Sequence, residues 1–324
     1  SVLSGASGGQ AVANVLLNDT LGGVTATLST TTLSLVSRSS PNLILDPLTG
    51  EVAVISGTPA GSYQLVYQIA EKLNPTNIAQ AIVTVQVGAA IIVARDDTGN
   101  VANGSAGGQA VANVIVNDTL NGIPATLSSV ILSQISSTSA LIALNPNTGS
   151  IFVSPGTASG TYTLIYQIAE KLNPTNTSQA SVLVTVGSAP IVAQPDLGIV
   201  DNGVFGGVAV ANVLSNDTLS GATATLNTVL LSQLSSTSPN ITLNPNTGAV
   251  VVAPGTPAGT YYLIYQICEK LNSDNCSSEI VTVQVGAAPI LAQGDSGFVA
   301  VGAIGGVAVP NILLNDTLND HAAT

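Results

Sequence analysis

Apolar and polar residues alternate along most of this chain. In "TYTLIYQIAE" (161–170), Tyr162, Leu164, Tyr166 and Ile168 share one face, while Thr163 and Gln167 fall on the other and Ile165 gives that face partial cover. A period of two is the strand pattern. "GSIFVS" (149–154) and "QASVLVTVG" (179–187) read the same way, and "AVANVIV" and "ATLSSVILSQIS" predict strands before and after the "NDTLNG" turn. "LNPNTG" (144–149) and "SPGTASG" (154–160) have turn compositions, and "KLNPTN" (171–176) joins the last two strands as a hairpin. Roughly seven short strands and no helix are predicted per ~100 residues, the arrangement of a Greek-key β-sandwich. Tyr63, Tyr67, Tyr261 and Tyr265 recur at matching strand positions and read as core aromatics, not as a stacking platform for sugar.

The pattern repeats. "NDT" begins at Asn18, Asn117, Asn216 and Asn315, and "EKLN" at Glu71, Glu170 and Glu269, in each case 99 residues apart with no slip of register. A period of this size is a whole small domain. The expectation is an all-β tandem array of immunoglobulin-like sandwiches with a 99-residue repeat. Repeat 1 covers 1–90 (truncated at its N-terminal side), repeat 2 covers 91–189, repeat 3 covers 190–288, and a partial repeat 4 covers 289–324. With no methionine and with ends that fall inside repeats, the sequence reads as a window on a longer repetitive protein. The joints "GAAIIVA", "GSAPIVA" and "GAAPILA" are short and apolar, unlike a flexible Gly/Ser tether, so restricted bending and an elongated rod are expected.

Only 7% of residues are charged, and 17 Asp and Glu outweigh 5 Lys and Arg, for a net charge of -12. That balance excludes a nucleic-acid partner and disfavours an anionic membrane surface. The longest apolar run is far short of the ~20 residues of a membrane helix, so no membrane insertion is expected in this window. The one histidine, His321, lies in the partial repeat, and the carboxylates recur singly, so neither a nucleophilic triad nor a glycosidase pair can be assembled. A non-enzymatic protein is expected. Lys72, Lys171 and Lys270 adjoin a glutamate at the hairpin and read as solvated side chains, not as isopeptide donors.

The only cysteines, Cys268 and Cys276, replace Ala70 and Ile78 of repeat 1 and Ala169 and Thr177 of repeat 2. Present together or absent together across a hairpin, they predict a disulfide and an oxidising, extracellular setting.

"LILDPLTGEVAV" followed by "GTPAGSYQLVYQI", together with "AVANVLLNDTLGG", resembles the tandem immunoglobulin-like and cadherin-like repeats of giant bacterial surface adhesins. The near-identical copies and the "ICEKLNxxNC" hairpin look most like the repetitive adhesins of gliding Bacteroidota. The later copies depart from the pattern, with Asn145 and Asn244 where Asp46 stands. The resemblance implies a cell-surface location. It raises calcium at the joints, through Asp97, Asp196 and Asp295, although one recurrent Asp is thin provision for six to eight oxygens. The Asp-Thr-Leu of the "NDTL" turn resembles an O-glycosylation signal of Bacteroidota, which makes Thr20, Thr119, Thr218 and Thr317 glycan candidates, beside the plainer role of Asn and Asp in turns. Two functions follow as expectations. One is a structural shaft whose partners are neighbouring repeats and other copies of the protein. The other is a multivalent adhesive module for glycan or a surface polymer.

Overall fold

The computed structural model describes residues 1–323. The chain divides into two compact units, one of residues 1–187 and one beginning at Ser188.

The first unit holds two sandwiches. In the better-covered one, a four-stranded sheet runs in the order Asp97–Val101, Thr177–Val186, Gly160–Glu170, Val130–Ser137. Its first pair is parallel and the others are antiparallel. A three-stranded sheet, Gly108–Val111, Ile151–Val153, Ile142–Leu144, faces it. Leu164, Tyr166 and Ile168 are fully buried between them with Val114, Ile115, Ile142, Ile151 and Val182. The alternation in "TYTLIYQIAE" therefore marks the core side of the longest strand. A third, small sheet pairs Thr119–Leu120 with Ile123–Pro124 on one side and with the joint strand Ile92–Val93 on the other.

The other sandwich of this unit has its own core around Leu43, Val52, Leu65 and Tyr67. Its larger sheet has three strands, Thr31–Arg38, Gly61–Glu71 and Ile78–Val87, and its Thr20–Leu21 strand pairs with Val24–Thr25 alone. The second unit repeats the fuller pattern around Leu263, Tyr265 and Ile267. Beyond Pro289 its strands among the described residues are the two-residue Ile290–Leu291, Thr317–Leu318 and His321–Ala322.

One sequence expectation is corrected. "AVANVIV" is not one strand: Gly108–Val111 is extended, and Val114–Asn117 is a 3₁₀ turn, with counterparts at Val15–Asn18 and Val213–Ser215. Asn113 Oδ1 accepts from the Ile115 amide at 3.2 Å and caps the turn, which buries Val114 and Ile115. A single 3₁₀ turn is too short to imprint a helical period on the sequence. Gly149 supports it: its carbonyl accepts from the Val114 amide, its φ is +77°, and a Cβ there would lie 2.1 Å from Asn113 Oδ1. Only glycine fits that position. Among the described residues no helix is long and apolar enough to cross a membrane.

Candidate functional site

The functional geometry lies where each joint enters the sandwich that follows it. Take the joint entering the repeat-2 sandwich, Gly88 to Asp97. Ala90 is gripped at both backbone groups: its amide donates to Glu170 Oε2 at 3.1 Å, and its carbonyl accepts from Asn176 Nδ2 at 2.7 Å. Asn176 also donates to Glu170 Oε2 at 2.7 Å. Ile91 donates to Asn121 Oδ1, and the Asn121 amide donates to the Ile91 carbonyl. Ile92 and Val93 add a strand beside Leu120 and Thr119. The Ala94 amide donates to Ser178 Oγ, and the Arg95 amide to Asp118 Oδ1. From Asp97 onward the chain becomes the parallel edge strand.

The second unit repeats the clamp. The Ala189 amide donates to Glu269 Oε2, and Asn275 Nδ2 donates to the Ala189 carbonyl. The Ser220 amide donates to the Pro190 carbonyl, the Ala193 amide to Ser277 Oγ, and the Gln194 amide to Asp217 Oδ1. Pro190 has no N–H, so the bond that Ile91 makes to Asn121 has no counterpart there.

Below the clamp sits a carboxyl–tyrosine knot. The Tyr166 hydroxyl lies 3.0 and 3.1 Å from the two Asp118 oxygens, 2.9 Å from the Arg95 carbonyl and 3.2 Å from the Val114 carbonyl. One hydroxyl hydrogen thus serves several acceptors. Asp118 is fully buried. Asp97 stands beside it, with Oδ2 buried and without a hydrogen-bond partner in the chain. Burial pushes the Asp97 carboxyl up to about 6, with Asp118 and Asp96 adding to the rise and Tyr166 and Asn117 opposing it. Asp196 is likewise pushed up to about 6 by burial, then by Asp217, which is itself fully buried. Burial also raises Asp118, Asp217, Tyr166 and Tyr265.

These positions answer several sequence expectations. Asp97 and Asp196 are brought to Asp118 and Asp217, whereas Asp295 is exposed. As a calcium shell the set is poor. Two carboxylates meet, and no group of three or more His, Cys, Asp or Glu is gathered among the described residues, against six to eight oxygens in a calcium site. Thr119 and Thr218 are half-buried in strands paired on both sides, Thr20 is exposed, and Thr317 is half-buried. The lysines Lys72, Lys171 and Lys270 are exposed at the side chain and donate to the carbonyls of Leu28, Leu127 and Leu226 at 2.5 Å. Cys268 and Cys276 are directly opposite in the hairpin register, with Cα atoms 4.1 Å apart, and form a disulfide.

The hairpin glutamate and asparagine were not singled out from the sequence. Their signal is the fixed spacing Glu71/Asn77, Glu170/Asn176 and Glu269/Asn275. It reads as a pair of solvated hairpin side chains until the joint is laid over it.

No protein-family model and no curated protein matches the chain. Among proteins of known structure, mouse Cadherin-23 EC22-24 is similar at 14% identity and a TM-score of 0.31, covering 79% of this chain and 86% of that one. Protocadherin Gamma B2 extracellular cadherin domains 3-6 match at 12% identity and a TM-score of 0.29, covering 79% and 67%. An endo-fucoidan hydrolase of glycoside hydrolase family 107 matches at 11% identity and a TM-score of 0.26, covering 79% and 38%. Likenesses this distant carry no activity across to this chain.

Proposed function

We propose that this chain is a non-enzymatic shaft segment of a secreted, extracellular bacterial surface fibre or adhesin, built from immunoglobulin-like repeats at 1–90, 91–189, 190–288 and 289–324. Its work is reach and stiffness. The observation that carries the reading is the joint within the first unit. Gly88 is still bonded to the upstream sandwich, through Val2 and Gly5. Ala90 is already bonded to the downstream one. Ala89 alone lies between, so the joint has almost no free backbone in which to bend. The disulfide of repeat 3 suits an oxidising compartment.

Negative-stain images and small-angle scattering of the chain test this reading. Extended particles gaining roughly 35–45 Å per repeat, as strands of about ten residues at ~3.3 Å rise require, are expected. Beads on a flexible string would overturn it.

A further inference from the structure

In a linear chain, any pull along the protein enters the repeat-2 sandwich through its joint and leaves through the strand Thr177–Val186. These two stretches lie side by side and run the same way. Asn176 Nδ2 donates to the Ala90 carbonyl, and Ser178 Oγ accepts from the Ala94 amide. Asp96 Oδ1 accepts from the amide and the hydroxyl of Ser181, both at 2.8 Å. The parallel register from Asp97 opposite Val182 to Val101 opposite Val186 continues the series. The Gly187 amide then donates to the Val101 carbonyl at 2.8 Å. From Ala90 to Val101 the entering chain is therefore bonded along the length of the leaving strand.

Direction decides what such a pairing does under load. The entering chain is drawn toward its N-terminal end and the leaving strand toward its C-terminal end. Because the two are parallel, these pulls oppose each other along one axis, and the strands part only by sliding. Every bond between them is then strained together. An antiparallel hairpin such as Gly160–Glu170 with Thr177–Val186, pulled at its open end, parts one pair at a time. The small sheet adds resistance, since Ile92 and Val93 are held lengthwise against Leu120 and Thr119.

Repeat 3 carries the arrangement with two changes. Ala189 is held by Glu269 and Asn275, Ala193 by Ser277, and Asp196–Val200 runs parallel to Val281 to Val285. Pro190 stands where repeat 2 has Ile91, and Pro195 and Ile280 stand where it has Asp96 and Ser181. Neither the Ile91 amide bond nor the Asp96–Ser181 pair can form there.

We infer that each joint, with the strand that follows it, forms one force-bearing clamp on the last strand of the same repeat, so that this chain holds tension as well as distance. The clamp rests on the shaft reading for the source of its load, but its test is separate, because beads on a flexible string can be stretched as readily as a rod. Yielding under force is governed by the rate of unfolding, not by equilibrium stability. The clamp bonds set that rate.

Constant-force optical tweezers, with the 324-residue chain held at its two ends, measure it. Each full repeat should yield in one step that lengthens the chain by roughly 300 Å. Reductant identifies repeat 3: it frees the eight-residue separation closed by the disulfide and lengthens that step by about 25 Å. Repeat 2, the other full-length step, should yield more slowly than repeat 3 at the same force. Asp96→Ala, which removes both bonds to Ser181, and Glu170→Ala should each speed the repeat-2 step roughly tenfold. Ile151→Val, fully buried in the facing three-stranded sheet and away from the clamp, should lower chemical stability and leave the step rate nearly unchanged. A repeat 2 that yields no more slowly than repeat 3, or a step that ignores both clamp variants or follows Ile151→Val as closely, overturns the clamp. Extended particles in scattering would then leave the shaft reading standing without it.

Discussion

Repeats 1 and 2 carry the same groove; in repeat 2 the joint Gly88 to Asp97 lies in it, and the corresponding positions of repeat 1 fall before Ser1. With the joint in place, Glu170 is 1% exposed and Asp118 fully buried. Without it, Glu71 and Asp19 are half-buried. The carboxylates are therefore not part of a repeat's own core. They are surface groups that the entering chain covers and bonds through one oxygen, Glu170 Oε2 and Asp118 Oδ1, so the site is composite and belongs to the joint as much as to the sandwich.

The largest difference should come from the one sandwich that carries an extra restraint. Reducing the disulfide of repeat 3 opens a hairpin that repeats 1 and 2 close without it, and should cost about 2–3 kcal/mol in the chain-entropy account. Thiol titration with and without reductant, followed by chemical denaturation, measures this. The repeat-2 transition should not move.

Next in size is the knot. Tyr166→Phe removes the only hydroxyl hydrogen shared by Asp118 and the Arg95 and Val114 carbonyls, and should destabilise its sandwich by about 2 kcal/mol, the scale of a hydrogen bond to a charged group. Tyr67→Phe, whose partner Asp19 keeps access to water, should cost about half as much. Equal losses in the two denaturation curves would mean that the joint does not create the burial.

Glu170→Ala should follow at about 1–2 kcal/mol, since the buried Ala90 amide and Asn176 lose their shared acceptor. Glu71→Ala, with no joint to hold, should leave thermal stability nearly unchanged. Scattering data should show the Glu170→Ala joint bending more widely, and hydrogen exchange at Ala90 should quicken.

The strands were legible because burial on one sheet face writes a period of two into the sequence, as in Tyr162 to Ile168. The hairpin and its disulfide were legible because Cys268 and Cys276 flank one turn. The clamp and the knot were not. Tyr166 and Asp118 are 48 residues apart, and Glu170 meets Ala90 across 80. Nothing local distinguishes a glutamate beside a lysine on a hairpin from a solvated one until the joint is placed over it. The 3₁₀ turn escaped for a related reason: Asn113 caps it and Gly149 closes it from 36 residues away in the chain.

The smallest effect is the pH dependence of the covered sites, and its sign runs against ordinary acid denaturation. Asp97 faces Asp118, Asp96, Tyr166 and Asn117, with Arg95 acting on Asp118. Asp196 faces Asp217, Tyr265 and Asn216, with Glu279 near Asp217. Each is raised from 3.8 to about 6 on folding, so the folded state binds its proton more tightly than the unfolded state does. The stabilisation is complete below the unfolded value near 4 and is lost as pH rises through about 6. Protonating Asp97 supplies a further hydrogen to a pocket in which acceptors outnumber the Tyr166 hydroxyl and Arg95 amide donors. The melting temperature should therefore fall by a few degrees between pH 4.5 and pH 7.5. Asp97→Asn with Asp196→Asn, which fixes both groups in a neutral, donating form, should flatten the profile. A profile that rises from pH 4.5 to 7.5, or one that the double variant leaves intact, would show that these carboxyls are ionised and satisfied in the folded joint.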